Sequence, residues 1–159
     1  MKIRLITIGK IKDKELQFLI NSYLDKISHY CSIEIVSIKE DNFLKDPNIE
    51  EQNIILKNEC ELIKKYFPNS YNFSLCIEGK QIDSIEFSNQ IKKLEDMGNY
   101  KYINFIIGSS HGLDKKIKDE SNSLLSFSKM TFTHQMMQYI LLEQIFRSFK
   151  IIKNEKYHK

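Results

Sequence analysis

The sequence predicts an α/β protein with a mainly parallel sheet and helices on both faces. Five short apolar segments with strand character alternate along the chain with segments whose apolar residues recur at helical spacing. Strands that are joined through helices pair in parallel, and the helices then cover the sheet. Ile103–Ile107 is apolar at every position except Asn104, which is typical of a central strand, whereas Ile33–Ile38 alternates.

Each element follows from local pattern and from its flanking turn residues. The polar segment Asp41–Asn48 contains Pro47 and predicts a loop, and no repeat or linker divides the chain, so we expect a single domain over residues 1–159. The predicted elements are, in order, a strand at Lys2–Gly9, a helix from about Lys14 to Tyr30, a strand at Ser32–Ile38, a helix at Ile49–Phe67 before Pro68, a strand at Tyr71–Gly79, a helix capped by Ser84 and ended by Gly98, a strand at Tyr102–Gly108, a short turn and helix over 109–122, a strand at Ser123–Phe127 and a helix from Thr133 onward.

Three glycines, Gly9, Gly79 and Gly108, fall just past the predicted strand ends. In open parallel sheets that edge binds ligands, because a residue without a side chain lets the backbone approach a bound molecule. A glycine at a strand end is equally well explained as a turn former, and the sequence leaves both readings open.

The C-terminal stretch Ser126–Lys150 joins a strand, the polar loop Ser128–Thr133 and a helix that is apolar on more than one side. Such a helix needs cover from its own domain and from a second body such as a partner subunit. A polar loop held between two buried elements is a common place for ligand binding.

Composition narrows the function further. The chain has 159 residues, a net charge of +3 and a pI of about 8.6, values that permit an RNA partner without demanding one. No apolar run is long enough for a membrane span and the N-terminus begins with a strand pattern, so we expect a cytosolic protein. The spacing of Cys and His residues indicates neither a disulfide framework nor a metal site, and no P-loop, Rossmann or nucleophile motif is present.

Four residues near the C-terminus are candidates for chemistry. His134 opens the long helix beside the polar loop, although a structural hydrogen bond to a neighbouring loop would also explain it. Arg147 lies on the apolar helix, where a cation needs a carboxylate, a phosphate or an opening to solvent. Tyr157 and His158 lie in a tail that is either a frayed terminus or a segment delivered to a neighbouring subunit.

Five segments of the chain carry a resemblance to a known family. They are IEGK at 77–80, FIIGSSHGL at 105–113, LSFSKMTFTHQMM at 125–137, EQIFRSFKI at 143–151 and YHK at 157–159. Together they resemble the ribosomal RNA large subunit methyltransferase H family, which belongs to the SPOUT class of S-adenosylmethionine-dependent methyltransferases. The resemblance spans the whole chain and is most specific in its last two-fifths. The resemblance implies a homodimer and a C-terminal trefoil knot, an exception to the usual unknotted connections.

The same resemblance implies the reaction, which is methylation at N3 of a pseudouridine in a hairpin loop of 23S ribosomal RNA, in the large subunit or assembled ribosome, without metal or DNA. His134, Arg147, Tyr157 and His158 are then the candidate catalytic residues. The residues implied to bind S-adenosylmethionine are Leu75, Gly108 and the backbone of Ser126, Phe127, Ser128, Lys129, Met130, Thr131 and Phe132.

Two positions depart from the family pattern. Ser109 stands where members often carry a second glycine, and we expect its side chain close to the methionine end of the cofactor. Thr133 replaces a proline, and its hydroxyl can cap the following helix instead. Two other readings remain open, namely a non-catalytic ribosome-binding module with the same fold and a flavodoxin-like binder of a nucleotide or flavin.

Overall fold

The computed structural model describes residues 2–40 and 46–158 and contains a five-stranded sheet with five helices in the described part. The predicted loop Asp41–Asn48 therefore lies largely outside the described residues. The elements are β1 (Lys2–Ile8), α1 (Lys14–Ser28), β2 (Ser32–Ile38), α2 (Ile49–Lys64), β3 (Ser70–Gln81), α3 (Ser84–Met97), β4 (Tyr102–Ile107), α4 (Lys115–Glu120), β5 (Ser123–Ser126) and α5 (His134–Ile152).

The strand order is β2-β1-β4-β3-β5, and every pairing is parallel. The predicted α/β class is confirmed, and β4 is central as its largely apolar sequence indicates. This order differs from the 2-1-3-4-5 order of flavodoxin-like sheets, so the flavodoxin-like reading is wrong for the fold. The trefoil knot stays a prediction.

Helices cover both faces of the sheet. One face packs against α1, α3 and α5, and its core includes the stacked rings of Phe73 and Phe105, whose centroids are 5.0 Å apart. The other face packs against α2 and α4 around Ile6, Ile63 and Ile117. Alternate residues of β1 serve the two cores, as the period of two in a strand requires.

Polar residues and glycine set the helix ends, and several of these ends differ from the predicted positions. Asp83 rather than Ser84 caps α3, because its carboxylate accepts the backbone N–H of Glu86 at 2.7 Å. The αL conformation of Gly98 ends that helix as predicted. The regular part of α2 ends at Lys64 instead of Phe67, α1 ends at Ser28, and α4 occupies only six residues of the predicted 109–122 segment.

Gly79 does not lie past the end of its strand, because β3 continues to Gln81. A Cβ atom on Gly79 would lie 2.6 Å from the backbone carbon of Leu125 in β5. Gly79 is therefore required by the close approach of two strand backbones, and the ligand reading is wrong for this glycine.

Helix α5 is covered on its flanks by the protein's own helices α1 and α3. Phe149 stacks on Tyr30 with 5.5 Å between the ring centroids, and Gln144 accepts a hydrogen bond from Ser84 at 2.7 Å. Contacts within one chain thus explain much of why the helix is apolar on more than one side. Cover by a partner subunit stays a prediction. No helix in residues 2–40 and 46–158 is long and apolar enough to cross a membrane.

Candidate active site

The register of the sheet brings the ends of β4 and β5 to the level of Leu75, where the regular pairing of β3 is interrupted. Leu75 of β3 pairs with Ile107 of β4 on one side and with Leu125 of β5 on the other. All three side chains are buried. Because the strands are parallel, the segments that follow them emerge at the same edge, where ligand sites form in open α/β sheets.

A cavity of about 880 Å³ opens at this edge. Its volume is within the usual range for sites that hold a cofactor or another small molecule. Its walls come from the irregular part of β3, the turn after β4, the loop after β5 and the first turn of α5. The lining residues are Leu75–Glu78, Ile107–Leu113, Lys118, Leu125–Ser128, Met130–Gln135 and Met137.

The turn after β4 is tight. A Cβ atom on Gly108 would lie 2.1 Å from the carbonyl oxygen of Gly112, so only glycine fits. The N–H of Gly112 donates to the carbonyl of Ser109 at 3.0 Å, and Gly112 adopts φ +85°. Gly108 is therefore required by the tight turn and belongs to the cavity lining, while the approach of a ligand to its backbone stays a prediction.

The loop after β5 is shaped by its own hydrogen bonds. Ser126 donates through Oγ to the carbonyl of Ser128 at 3.0 Å, and Ser128 Oγ accepts the N–H of Met130 at 2.9 Å. At the far end Thr133 Oγ1 accepts the N–H of Met136 at 3.2 Å and caps α5, which confirms the predicted cap. The loop that lines the cavity is thus held by hydrogen bonds of its own side chains.

The structure brings together eight of the nine residues that the sequence resemblance assigned to the cofactor. These eight line the cavity, whereas Lys129 is exposed on the same loop and is not among the lining residues. Their order along the chain already placed them at one sheet edge. That they bind a cofactor stays a prediction.

Sequence reasoning missed an ion pair in the cavity wall. Lys118 Nζ lies 2.5 Å from Glu78 Oε1 and lowers the pKa of that carboxyl, chiefly through this hydrogen bond. The two residues belong to α4 and β3, and forty positions separate them, so no local pattern links them. His111, which the sequence left between ligand contact and solvent, is exposed and lines the same cavity.

His134 lies at the cavity, as the sequence predicted. It is the first residue of α5, it is half-buried, and it belongs to the lining. Its position at the cavity is the observation that supports a catalytic role, and that role stays a prediction.

Arg147, Tyr157 and His158 lie elsewhere, in what we call the tail cluster, which also contains Glu143 and Tyr23. Arg147 Nη2 pairs with Glu143 Oε1 at 2.5 Å, and the Tyr157 hydroxyl donates to the same oxygen at 3.1 Å. Arg147 Cζ lies 4.7 Å from the centroid of the Tyr157 ring, and Arg147 Nη1 is 3.5 Å from His158 Nδ1. The tail is therefore docked on its own helix α5.

Glu143 is the carboxylate that Arg147 requires, and the sequence analysis did not name it. The signal was present, because Glu143 and Arg147 are spaced i, i+4 on one helix face. Two effects raise the pKa of Tyr23 to about 12, so its hydroxyl stays protonated at neutral pH. The larger effect is burial, and the next is the hydrogen bond with Tyr157. Glu143 likewise raises the pKa of Arg147.

The two groups of candidate catalytic residues are far apart within one chain. Arg147 lies thirteen residue steps after His134 on the same helix, a rise of about 20 Å along the axis of α5. None of Arg147, Tyr157 and His158 lines the cavity. A single chain therefore does not assemble all four candidates around one reacting atom.

The cavity has a mixed lining, which is typical of sites that bind small molecules. Apolar side chains such as Ile107, Leu125 and Phe127 line it together with polar residues of the segments that follow β4 and β5. Within the described ranges, no cluster of three or more His, Cys, Asp or Glu residues could hold a metal ion.

Comparison with known proteins yields consistent matches. A family model described as "Predicted SPOUT methyltransferase" matches residues 1–158. Ribosomal RNA large subunit methyltransferase H from Malacoplasma penetrans is 47% identical over 159 residues, with 100% of both chains covered. The protein of the same name from Clostridium botulinum is 41% identical over 160 residues, again with 100% of both chains covered.

Solved structures support the architecture at lower identity. "Probable Methyltransferase from Bordetella pertussis Tohama I" superposes with a TM-score of 0.57 at 12% identity, covering 92% of this chain and 95% of that one. A probable methylase family protein from Haemophilus influenzae Rd KW20 gives a TM-score of 0.54 at 14% identity, covering 99% and 70%. At these identities the similarity bears on the fold alone.

Proposed function

The chain belongs to the ribosomal RNA large subunit methyltransferase H family of SPOUT methyltransferases, and from this premise we propose that it methylates N3 of a pseudouridine in a hairpin loop of 23S ribosomal RNA. The methyl donor in this proposal is S-adenosylmethionine. The substrate is the large subunit or the assembled ribosome, which implies a cytoplasmic location.

The observation that carries the proposal is the cavity at the carboxyl edge of β3, β4 and β5. Leu75, Gly108 and the loop from Ser126 to Phe132 would hold S-adenosylmethionine, mostly through backbone groups and apolar contacts. The tight turn at Gly108 and the internally bonded loop support a site that is formed before the ligand arrives. A preformed site loses less conformational entropy on binding.

When bound, S-adenosylmethionine supplies an electrophilic methyl group on its sulfonium. The residues of the chain then have two tasks, which are to hold the target base in line and to accept its imide proton. His134 is the proposed acceptor, since it lines the cavity. Arg147 would contact an RNA phosphate from the tail cluster, while Glu143 keeps its guanidinium oriented.

The tail reaches an active site only if a second subunit contributes it, because Arg147 lies about 20 Å along α5 from His134. The proposal therefore includes a homodimer in which Tyr157 and His158 of one subunit complete the site of the other. A base in an RNA hairpin loop is accessible to such a site, since unstacked loop bases can be splayed out and stacked on aromatic side chains.

The proposal is tested on ribosomes from a strain that lacks the gene. Purified protein and isotope-labelled S-adenosylmethionine are added, and the 23S RNA is digested and analysed by mass spectrometry. We expect one new N3-methylpseudouridine, absent without protein. No calorimetric binding of S-adenosylmethionine at millimolar concentration would contradict the enzyme reading and would favour a ribosome-binding module.

Replacing His134 by Gln should lower the single-turnover rate of methyl transfer by about 100-fold, the lower end of what a positioned base contributes. Cofactor affinity should change little, because the other lining residues remain. Rapid-quench kinetics and calorimetry measure the two quantities. A rate for His134→Gln equal to that of the unaltered protein would exclude His134 as the base.

Replacing Arg147 by Ala removes the partner of Glu143 and the cation over Tyr157. We expect RNA binding or transfer to weaken about tenfold, the scale of one charge-assisted contact, with cofactor affinity less affected. Arg147→Lys is the matched control, since it keeps the charge and loses the paired geometry. Weaker cofactor binding at unchanged RNA affinity would argue against this role.

A further inference from the structure

Ser109 lines the cavity, and its hydroxyl forms a hydrogen bond with a residue that is not part of the lining. The residue is only 8% exposed, and its Oγ donates a hydrogen bond to Glu59 Oε2 at 3.1 Å. Ser109 thus lies at the cavity as expected, while the closeness of its side chain to a bound cofactor stays a prediction. The hydroxyl of Ser109 is already committed to a carboxylate.

Glu59 belongs to α2, a helix on the other face of the sheet from α5, and it is 3% exposed. A buried carboxylate is costly unless donors surround it, and a hydrogen bond to an ionised acceptor is stronger than one between neutral groups. The contact thus links a helix of the scaffold to a turn that borders the cavity.

The structure of the turn connects this hydrogen bond to the backbone of the cavity wall. The backbone of Ser109 pairs with Gly112 in an isolated bridge, and Gly108 has no room for a Cβ atom. A shift of Ser109 would therefore carry the backbone of the whole 108–112 turn with it. This backbone is the cavity wall contributed by the end of β4.

We propose that Glu59 is a positioning residue for the cofactor site: through Ser109 it holds the 108–112 turn in the shape that receives S-adenosylmethionine. The inference rests on the proposed function and goes beyond it, because Glu59 is not a lining residue and acts through another side chain. Its effect belongs to cofactor binding and not to the proton transfer.

The test is a double-mutant cycle on cofactor affinity with Ser109→Ala, Glu59→Gln and the double variant of the full-length protein. Calorimetry with S-adenosylmethionine gives Kd for each. We expect each single change to weaken binding by about tenfold, the scale of one hydrogen bond to a charged group. The double variant should be no weaker than the weaker single variant, because both changes remove the same link.

Kinetics separate positioning from a purely structural role. The cofactor KM of Ser109→Ala should rise by the same factor as Kd, with kcat and the RNA KM unchanged. Ser88→Ala removes another buried serine hydroxyl, which donates to the carbonyl of Ile85 on α3 outside the cavity, and should leave the cofactor Kd unchanged. Equal cofactor affinity in all variants, or losses that multiply in the double variant, would overturn the proposal.

If Glu59→Gln does not fold, Ser109→Ala alone decides, since it leaves the carboxylate in place. An unchanged Kd for that variant overturns the inference. Failure of the proposed function has a different signature, which is that the unaltered protein itself does not bind S-adenosylmethionine.

Discussion

Deletion of Tyr157–Lys159 is expected to abolish methyl transfer and to leave cofactor affinity close to that of the full-length protein. The rate should fall by more than about 10³-fold, the combined scale of lost positioning and lost proton transfer. Cofactor affinity should persist because neither Tyr157 nor His158 lines the cavity. Single-turnover kinetics on ribosomes and calorimetry with S-adenosylmethionine measure the two effects.

Tyr157→Phe is the control for stability. It keeps the ring that packs edge-on against Phe146 at 5.0 Å and removes the hydroxyl contacts with Glu143 and Tyr23. A partial loss in this variant assigns part of the effect to the hydroxyl. Unchanged turnover after the full deletion would refute a catalytic role for the tail.

Gly108→Ala should have the largest effect on cofactor binding. The new Cβ would lie 2.1 Å from the carbonyl oxygen of Gly112, so the turn must open and the cavity wall must move. Overpacking against the backbone should cost about 3 kcal/mol or more, which corresponds to an affinity loss of more than about 100-fold. Calorimetry with S-adenosylmethionine checks this loss, and thermal unfolding shows whether the fold survives.

Gly98→Ala is the matched control, because Gly98 adopts φ +61° at the end of α3 and nothing lies within 4 Å of its added Cβ. It should cost about 1 kcal/mol of stability through backbone strain and leave cofactor affinity unchanged. Equal cofactor affinity for Gly108→Ala and Gly98→Ala would mean that the turn after β4 does not form the site.

The Gly108→Ala variant and the protein without Tyr157–Lys159 together test whether subunits share a site. A Gly108→Ala subunit retains its tail, and a tail-deleted subunit retains its cavity, so a mixed dimer would contain one complete site. Equal co-expression should restore roughly a quarter of the full activity, because half of the dimers are mixed and one of their two sites works. Activity no higher than that of either protein alone would place the tail and cavity of one subunit together.

Much of the fold was predictable because its local patterns agree with its tertiary contacts. The largely apolar segment Ile103–Ile107 predicted the central strand, and it is buried on both faces. Helix ends were less predictable, since Asp83 and Ser84 are both good caps and only the backbone geometry selects Asp83. Gly79 showed that a glycine needed for strand contact has the same sequence signature as one that ends a strand.

The candidate site was predictable where it follows from chain order and not where it depends on contacts between distant segments. The loop after β5 and Gly108 could be placed at one edge because parallel strands end together. The contacts of Glu78 with Lys118 and of Glu59 with Ser109 join elements that are far apart in sequence. No local pattern in the sequence therefore predicts them. The docking of Tyr157 on Glu143 likewise required the structure.

The pairing of β5 with β3 has a consequence for how the protein folds. Phe73 pairs with Ser123, so this contact closes a long loop of chain that includes α3, β4 and α4, whereas helices form through local contacts. Loop closure of this kind is entropically costly and delays the structures that depend on it. The cavity, which needs β5 in place beside β3, is therefore completed only after this loop has closed. A ligand that binds only the completed cavity then shifts the equilibrium toward the fully folded chain by mass action.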